Sequence, residues 1–273
     1  MNLERTGVSS ESSRGIHRIS TLMRCAAAYG YGYILCLEPT VPRDPLALGT
    51  CCHLALEAHY NGRPWLDAIM RAPARVSFMS GKAAAVIPRY LAKWPMENPK
   101  DILGVEVEYA MTIGDQTFTR RFDRLIAEKR RGRCVLVAYD IKTAGRIPER
   151  LRKTSLDPTL FTQEMIGRTV IAPALGLEWG GLVLDLIPTD GKSDFVRQPL
   201  HWSQEMLNRA EQSLLYWMRE EEALLAQHAR REIDPWELEQ SFQCYPQGFK
   251  CDFGPLCTTG KIERGRFVKK TGN

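Results

Sequence analysis

Between residues 104 and 144 the chain carries three strand-length runs in succession, and no other stretch restricts the fold so tightly. "GVEVEYAMTI" leads into Gly114-Asp115, then "QTFTRRFDRLIAE", the turn "KRRGR", and "CVLVAYDIKTA". Runs rich in β-branched and aromatic residues, broken by short turn signals, predict an antiparallel meander. The last run is apolar from Cys134 to Tyr139 and then ends in Asp140, Ile141 and Lys142. Side chains alternate along a strand, so Asp140 and Lys142 share one side and Ile141 takes the other. An acid and a base at the end of a buried strand are costly unless they serve each other or a ligand. A second Asp-x-Lys, Asp190-Gly191-Lys192, lies in "IPTDGKSD", where Pro188 and Gly191 announce an exposed turn. Context separates the two.

Helical patterns flank the meander. Residues 18–36 begin as a helix with Ser20 or Thr21 as its N-cap. "LALGTCCHLALEAHYNG" is a helix ended by Asn61-Gly62, and 79–94 is another, stopped by Pro95. A helix around 158–172 carries Gln163, "GGLVLDLIPT" is a further apolar strand, and "DFVRQPLHW" lies beside it. Residues 203–231 form a long amphipathic helix and "PWELEQSF" a short one. This order predicts an α/β fold with a mixed central sheet flanked by helices. No repeat or low-complexity linker marks a boundary, so residues 1–273 are expected to form a single domain.

A composition of 44% hydrophobic and 25% charged residues suits a globular chain with a sizeable core. No run approaches the length of an apolar membrane span, and "MNLERTGVSSESSRG" lacks the apolar centre of a signal peptide. A cytoplasmic protein without membrane contact is the expectation. A net charge of +5 permits a nucleic-acid partner without demanding one. The cluster Arg146, Arg150, Arg152 and Lys153 follows Asp-Ile-Lys directly and is the best candidate for phosphate contact.

Other candidates gather around the meander. His53 and Glu57 are four apart on one helix and share a face. Asp123, in "RRFDRL", sits on the strand beside Asp140; an ion pair with Arg121 or Arg124 is its structural alternative. Two close carboxylates raise each other's pKa unless a cation binds between them. Hard divalent cations take oxygen ligands, often one or two carboxylates with phosphate and water completing the shell.

In chain order the set reads Gly49-x-x-x-His53-x-x-x-Glu57, Glu108, Phe122-Asp123, Asp140-Ile141-Lys142 and Gln163. It resembles the RecB-family branch of the PD-(D/E)xK nuclease superfamily, whose core is restriction-endonuclease-like. The chain departs from that pattern at Arg120, where the family usually has glycine, and at Gly167, where it often has tyrosine. The resemblance implies magnesium or manganese held by His53, Asp123, Asp140 and the Ile141 carbonyl. It implies that Lys142 holds the attacking water, that Glu57 and Glu108 orient His53 or Lys142, and that Gln163 belongs to the site. The implied activity is a metal-dependent DNA nuclease, acting as an exonuclease on DNA ends in recombination, repair or phage DNA metabolism. The setting is then a bacterial or phage-infected cytoplasm. No Walker-type loop is present, so a helicase or recombination factor would be a separate partner. A non-cleaving DNA-binding adaptor and a structure-specific or RNA-directed nuclease are the alternatives.

Eight cysteines in a cytosolic chain do not suggest a disulfide framework. Three of them crowd into "CYPQGFKCDFGPLC". This resembles the subset of the family, with AddB-type and CRISPR-adaptation nucleases, that clamps a 4Fe–4S cluster with one N-terminal and three C-terminal cysteines. The resemblance implies Cys25, Cys244, Cys251 and Cys257 as ligands, with Cys36 as the substitute for Cys25 and zinc as the alternative metal. Such a cluster would tie the helix at about 18–36 to the segment at about 240–260. Cys51, Cys52 and Cys134 lie in apolar runs and are expected to be buried thiols.

Overall fold

A computed structural model describes residues 15–95, 97–154, 157–239, 251–259 and 266–270. The chain opens with α1 (Ile16–Arg24) and α2 (Ala26–Tyr29), divided at Cys25, whose extended backbone lets its Sγ accept a hydrogen bond from Ala28 N at 3.4 Å. A π-helical turn (Gly30–Ile34) and β1 (Leu37–Pro39) follow. Next come α3 (Asp44–Tyr60), α4 (Trp65–Met70) and α5 (Ser80–Lys93), of which α4 has no clear sequence signal. The meander is β2 (Ile102–Ile113), β3 (Gln116–Arg130) and β4 (Arg133–Ala144). Then follow α6 (Ile147–Thr154), α7 (Pro158–Ile166), a second π turn (Gly167–Ile171), α8 (Ala172–Ala174), β5 (Glu178–Pro188) and β6 (Val196–Leu200). The long helix α9 (Gln204–Ala229), α10 (Gly254–Thr259) and β7 (Phe267–Lys269) complete the described elements.

The main sheet has the strand order β2-β3-β4-β5-β6. β3 and β4 run antiparallel, β4 and β5 parallel, and β5 and β6 antiparallel. This is the mixed, helix-flanked α/β sheet that the sequence predicts. Arg131 (φ 51°) and Gly132 (φ 81°) make the β3–β4 turn, both in the left-handed region that a two-residue hairpin turn requires.

Contacts divide the chain into two compact units. The first comprises Pro42–Met111 and Thr119–Gln204 and contains most of the sheet. One core there joins α3 and α5 to the sheet through Ala47, Cys51, Cys52, Ile87 and Tyr90 with Ile141, Ile187 and Phe195. A second joins Ala144 and Ile147 to Leu184 and Leu186. The other unit's described residues fall within Ser9–Val41, Thr112–Phe118 and Glu205–Asn273. In it β1 pairs antiparallel with β7, and Cys25, Ala28, Tyr31, Leu256 and Phe267 form one core. Buried Glu221 of α9 takes an ion pair from Arg18 at 2.5 Å. It also hydrogen-bonds Tyr29, whose hydroxyl pKa is driven up, first by burial and then by that carboxylate.

Two local expectations are corrected. Residues 235–239 of "PWELEQSF" form turns, because Asp234 Oδ1 captures Trp236 N at 3.0 Å and diverts the chain from a helix; the rest lies outside the described residues. Cys134 is exposed, because it stands next to the hairpin turn, before β4 runs under the helices. Cys51 and Cys52 are buried as expected. Among the described residues no helix is long and apolar enough to cross a membrane.

Candidate metal and phosphate site

The site forms where β4 outruns its neighbour. The ladder with β3 ends at Arg124↔Tyr139, whereas the ladder with β5 continues to Ala144↔Pro188. Beyond Tyr139 the β3-facing edge of β4 needs other partners, and side chains supply them. Asp123 Oδ2 accepts the Ile141 N–H at 2.6 Å. The Ile141 carbonyl faces His53 Nε2 at 3.1 Å and Lys142 Nζ at 3.3 Å.

Helix α3 delivers His53. One turn earlier stands Gly49, where a Cβ would sit 3.2 Å from Thr143 Oγ1 on β4. A side chain at that position would crowd the helix against the strand, and the missing one lets α3 approach. The other imidazole nitrogen, Nδ1, lies 3.1 Å from Glu106 Oε1 and 3.8 Å from Asp123 Oδ1. Both ring nitrogens thus face acceptors, which favours the imidazolium form. Burial alone would lower the His53 pKa, but the carboxylates of Asp123 and Glu106 outweigh it and raise it to about 9. Asp123 is raised above its ordinary range, mainly by burial.

His53, Glu106 and Asp123 each offer one donor atom, and these atoms lie within 4.8 Å of one another. One imidazole nitrogen and two carboxylate oxygens from three different elements, beside a backbone carbonyl, fit manganese or magnesium. Asp140 stands outside this group, although the sequence reading places it among the ligands. It is fully buried; its Oδ1 accepts from Arg120 Nη2 at 3.2 Å and Gln163 Nε2 at 3.0 Å, and its Oδ2 lies 2.7 Å from Lys142 Nζ. Burial would raise the Asp140 pKa, yet Lys142 and Arg120 hold it down to about 2.

Gln163 is fully buried and also donates to the Arg121 carbonyl at 3.3 Å, so α7 is tied to β3 and β4 at once. Gly167, one turn further on, has a packing reason: a Cβ there would lie 2.2 Å from the Trp179 ring. Of the two acids expected to orient His53 or Lys142, Glu57 faces another partner. Glu57 receives Arg63 at 3.1 Å near the end of α3. Glu108 lies two residues past Glu106, and it is Glu106 that reaches the imidazole. Glu106 has a left-handed backbone (φ 50°), a kink in β2 that redirects its side chain. The sequence reading missed it; "GVEVEY" offers two acids of equal parity, and nothing in the pattern announces the kink.

Of the basic cluster, Arg146 and Arg152 are exposed, and Arg150 lies 3.9 Å from Asp157. The Lys153 side chain and Cys244 lie outside the described residues. In the second unit, Tyr31 is raised to about 12 by burial and then by Cys257, its hydrogen-bond partner, with Cys25 and Cys251 adding to the effect. Cys25 and, from the other end of the sequence, Cys251 and Cys257 therefore bear on one hydroxyl.

Residues 16–258 match the family model of the PD-(D/E)XK nuclease superfamily, and the chain belongs to that superfamily. No curated protein matches the sequence. Among solved structures, a candidate exonuclease from Eubacterium rectale is similar at TM-score 0.46 and 12% identity, covering 94% of this chain and 100% of its own. Protein VC1899 from Vibrio cholerae is similar at TM-score 0.20 and 12% identity, over 77% of this chain and 57% of its own. Similarity at these scores adds nothing to the family assignment.

Proposed function

We propose that the chain is a magnesium- or manganese-dependent deoxyribonuclease that hydrolyses phosphodiester bonds at DNA ends. The observation that carries this reading is the convergence of His53, Glu106 and Asp123 beside the Ile141 carbonyl and Lys142. Superfamily membership supports it. A divalent cation held by these donors lowers the pKa of a bound water and stabilises charge on the phosphate. Lys142 Nζ, kept in place by Asp140 and the Ile141 carbonyl, donates hydrogen bonds to the attacking water and offsets charge on the phosphoryl oxygens. Gln163 and Arg120 fix Asp140 and so fix Lys142. Arg146, Arg150, Arg152 and Lys153 follow β4 and supply contacts to the DNA backbone.

Cys25, Cys244, Cys251 and Cys257 hold a 4Fe–4S cluster in this reading, which the grouping of three of them about Tyr31 supports. Its role is structural, holding residues of both chain ends in one core and closing a long loop. The whole chain then acts as one nuclease domain in the cytoplasm, with any helicase a separate partner.

Labelled single-stranded, duplex and flap DNA, incubated with manganese, tests the activity. Cleavage starting from duplex or single-stranded ends by the wild type, lost in Lys142→Ala, is the expected result. No cleavage by the wild type with equal DNA binding by both forms would establish the adaptor alternative. A brown preparation containing iron and acid-labile sulfide supports the cluster, and a colourless one with a stoichiometric zinc ion overturns it.

A further inference from the structure

The helical stretch after α3 joins positive charge to exposed apolar surface. From residue 61 to residue 93 the chain holds six basic residues and one acid, Asp67, an excess equal to the net charge of +5 of the whole chain. The same stretch carries Leu66, Met70 and Phe78, which are 47%, 71% and 51% exposed. Leu66 and Met70 are four apart on α4 and share a face. Ser80 Oγ donates to the Ile69 carbonyl at 3.1 Å, which brings the short turn Ser77–Met79, with Phe78 at its centre, back to the end of α4. Ile69, Val76 and Ala83 turn inward to the core that these elements share with α3, so the outward Leu66, Met70 and Phe78 stand apart from it. Beside them lie Arg71, directly after α4, and Lys82, in the first turn of α5. Both are exposed, and neither is paired with an acid among the described residues.

We propose that this surface binds single-stranded DNA, with Phe78 stacking on a base and Arg71 and Lys82 holding the adjoining phosphates. The inference rests on the nuclease reading above and deepens it, because it names an unpaired strand as the substrate class. A basic surface alone would hold a duplex equally well through its phosphates. Only an unpaired strand also offers open base faces to an aromatic ring and to the apolar chains of Leu66 and Met70. One acid among six bases suits a polyanion better than a protein surface, on which both signs are interspersed. Helix α3 links the surface to the candidate metal site: from His53 it runs on to Tyr60, about 10 Å along its axis, and the basic stretch begins just beyond. A strand held there would extend away from the bond being cut.

Fluorescence anisotropy of the full-length protein with labelled oligothymidylate and with the corresponding dA·dT duplex, in chelator so that nothing is cut, tests this. Wild type is expected to bind the single strand more tightly than the duplex. Phe78→Ala is expected to weaken single-strand binding about tenfold and to leave duplex binding nearly unchanged. Arg71→Gln and Lys82→Gln are each expected to flatten the slope of log K against log salt by about 0.7, as the loss of one phosphate contact does. If the wild type bound the duplex as tightly as the single strand, or if Phe78→Ala bound the single strand as the wild type does, the inference would be overturned. Cleavage of DNA by the wild type with manganese would then leave the nuclease reading standing. Loss of polyglutamate binding in the three variants, with single-strand binding intact, would also overturn it and assign the surface to an acidic protein partner. No binding of either DNA and no cleavage by the wild type would overturn both the inference and the reading beneath it.

Discussion

Two fully buried aspartates lie on adjacent strands of the sheet, and they are built for opposite purposes. Asp185, on β5 opposite Ile141, accepts from Tyr90 Oη at 2.5 Å and Arg197 Nε at 3.0 Å, and lies 3.6 Å from Arg124 Nη2. Its partners are themselves enclosed. Arg124 is sandwiched between the Tyr60 and Tyr139 rings, each 4.2 Å away, and Arg197 lies 4.4 Å from the Trp94 ring. Glu97 then closes the network by bridging Arg124 and Arg197. Asp140 also has cationic partners, but one of them, Lys142, is 27% exposed and stands beside Asp123 and the Ile141 carbonyl. Buried charge by itself therefore does not mark a site; a cation that reaches the surface next to converging acceptors does.

The sharpest way to break this comparison is to remove one member of each cluster. Lys142→Ala should lower DNA cleavage per folded molecule by at least about 10²–10³-fold, with a smaller fall in the thermal transition than Asp185→Ala because Arg120 and Gln163 still hold Asp140. Asp185→Ala leaves Arg124 and Arg197 to share Glu97 as their counter-charge and should cost about 3–5 kcal/mol in denaturant titrations. Its cleavage rate per folded molecule should stay near that of wild type. If Asp185→Ala stayed stable yet lost cleavage, the two clusters would be a single functional unit and the contrast would fail.

A smaller effect sharpens the acidic half. Glu106→Gln should weaken Mn2+ binding by at least about tenfold, and Glu108→Gln should leave it within a factor of two or so. Calorimetric titration of the two variants decides between the neighbouring acids, and the reverse ranking would show that the kink at Glu106 does not carry the ligand.

Which residues could be read without a structure follows from the same geometry. His53 entered only through the family resemblance, whereas the meander and the shared side of Asp140 and Lys142 were legible because strand alternation and turn chemistry are local rules. Glu106 was not, because one left-handed residue breaks the period-two pattern on which the strand reading depends. Glu57 looked equivalent to its helix partner, but Arg63, just past the helix end, captures it instead. The Asp185 network was also hidden: its members come from β3, β5, β6, α5 and the loop at Glu97, and no spacing in the sequence links them.

Protons should expose the difference between the clusters next. In metal-free protein the folded His53 pKa of about 9 lies above its ordinary 6.5. Such a group stabilises the fold fully below pH 6.5, and that contribution fades as pH rises through about 9. Thermal melts in chelator should therefore show Tm falling between pH 6.5 and 9.5, and His53→Gln should flatten the slope. Asp140, held down to about 2, remains ionised throughout this window and does not contribute to the slope. A wild-type slope that survives His53→Gln would place the titration elsewhere.

The smallest effect belongs to the second Asp-x-Lys. Asp190 caps its own turn, accepting from Lys192 N at 3.0 Å, Ser193 N at 2.9 Å and Ser193 Oγ at 2.5 Å. Those bonds depress its pKa to about 2 on a fully exposed loop, the same value that Asp140 reaches in the core through Lys142 and Arg120. Equal acidity thus arises once from the hydroxyl and amide donors of a turn and once from buried charge. Lys192→Ala removes a side chain that the turn does not use, so stability should change by less than about 0.5 kcal/mol and cleavage should be unaltered. Measured beside Lys142→Ala, it asks whether the tripeptide or its surroundings carries the chemistry. A cleavage defect in Lys192→Ala would mean that the exposed turn, too, meets the DNA.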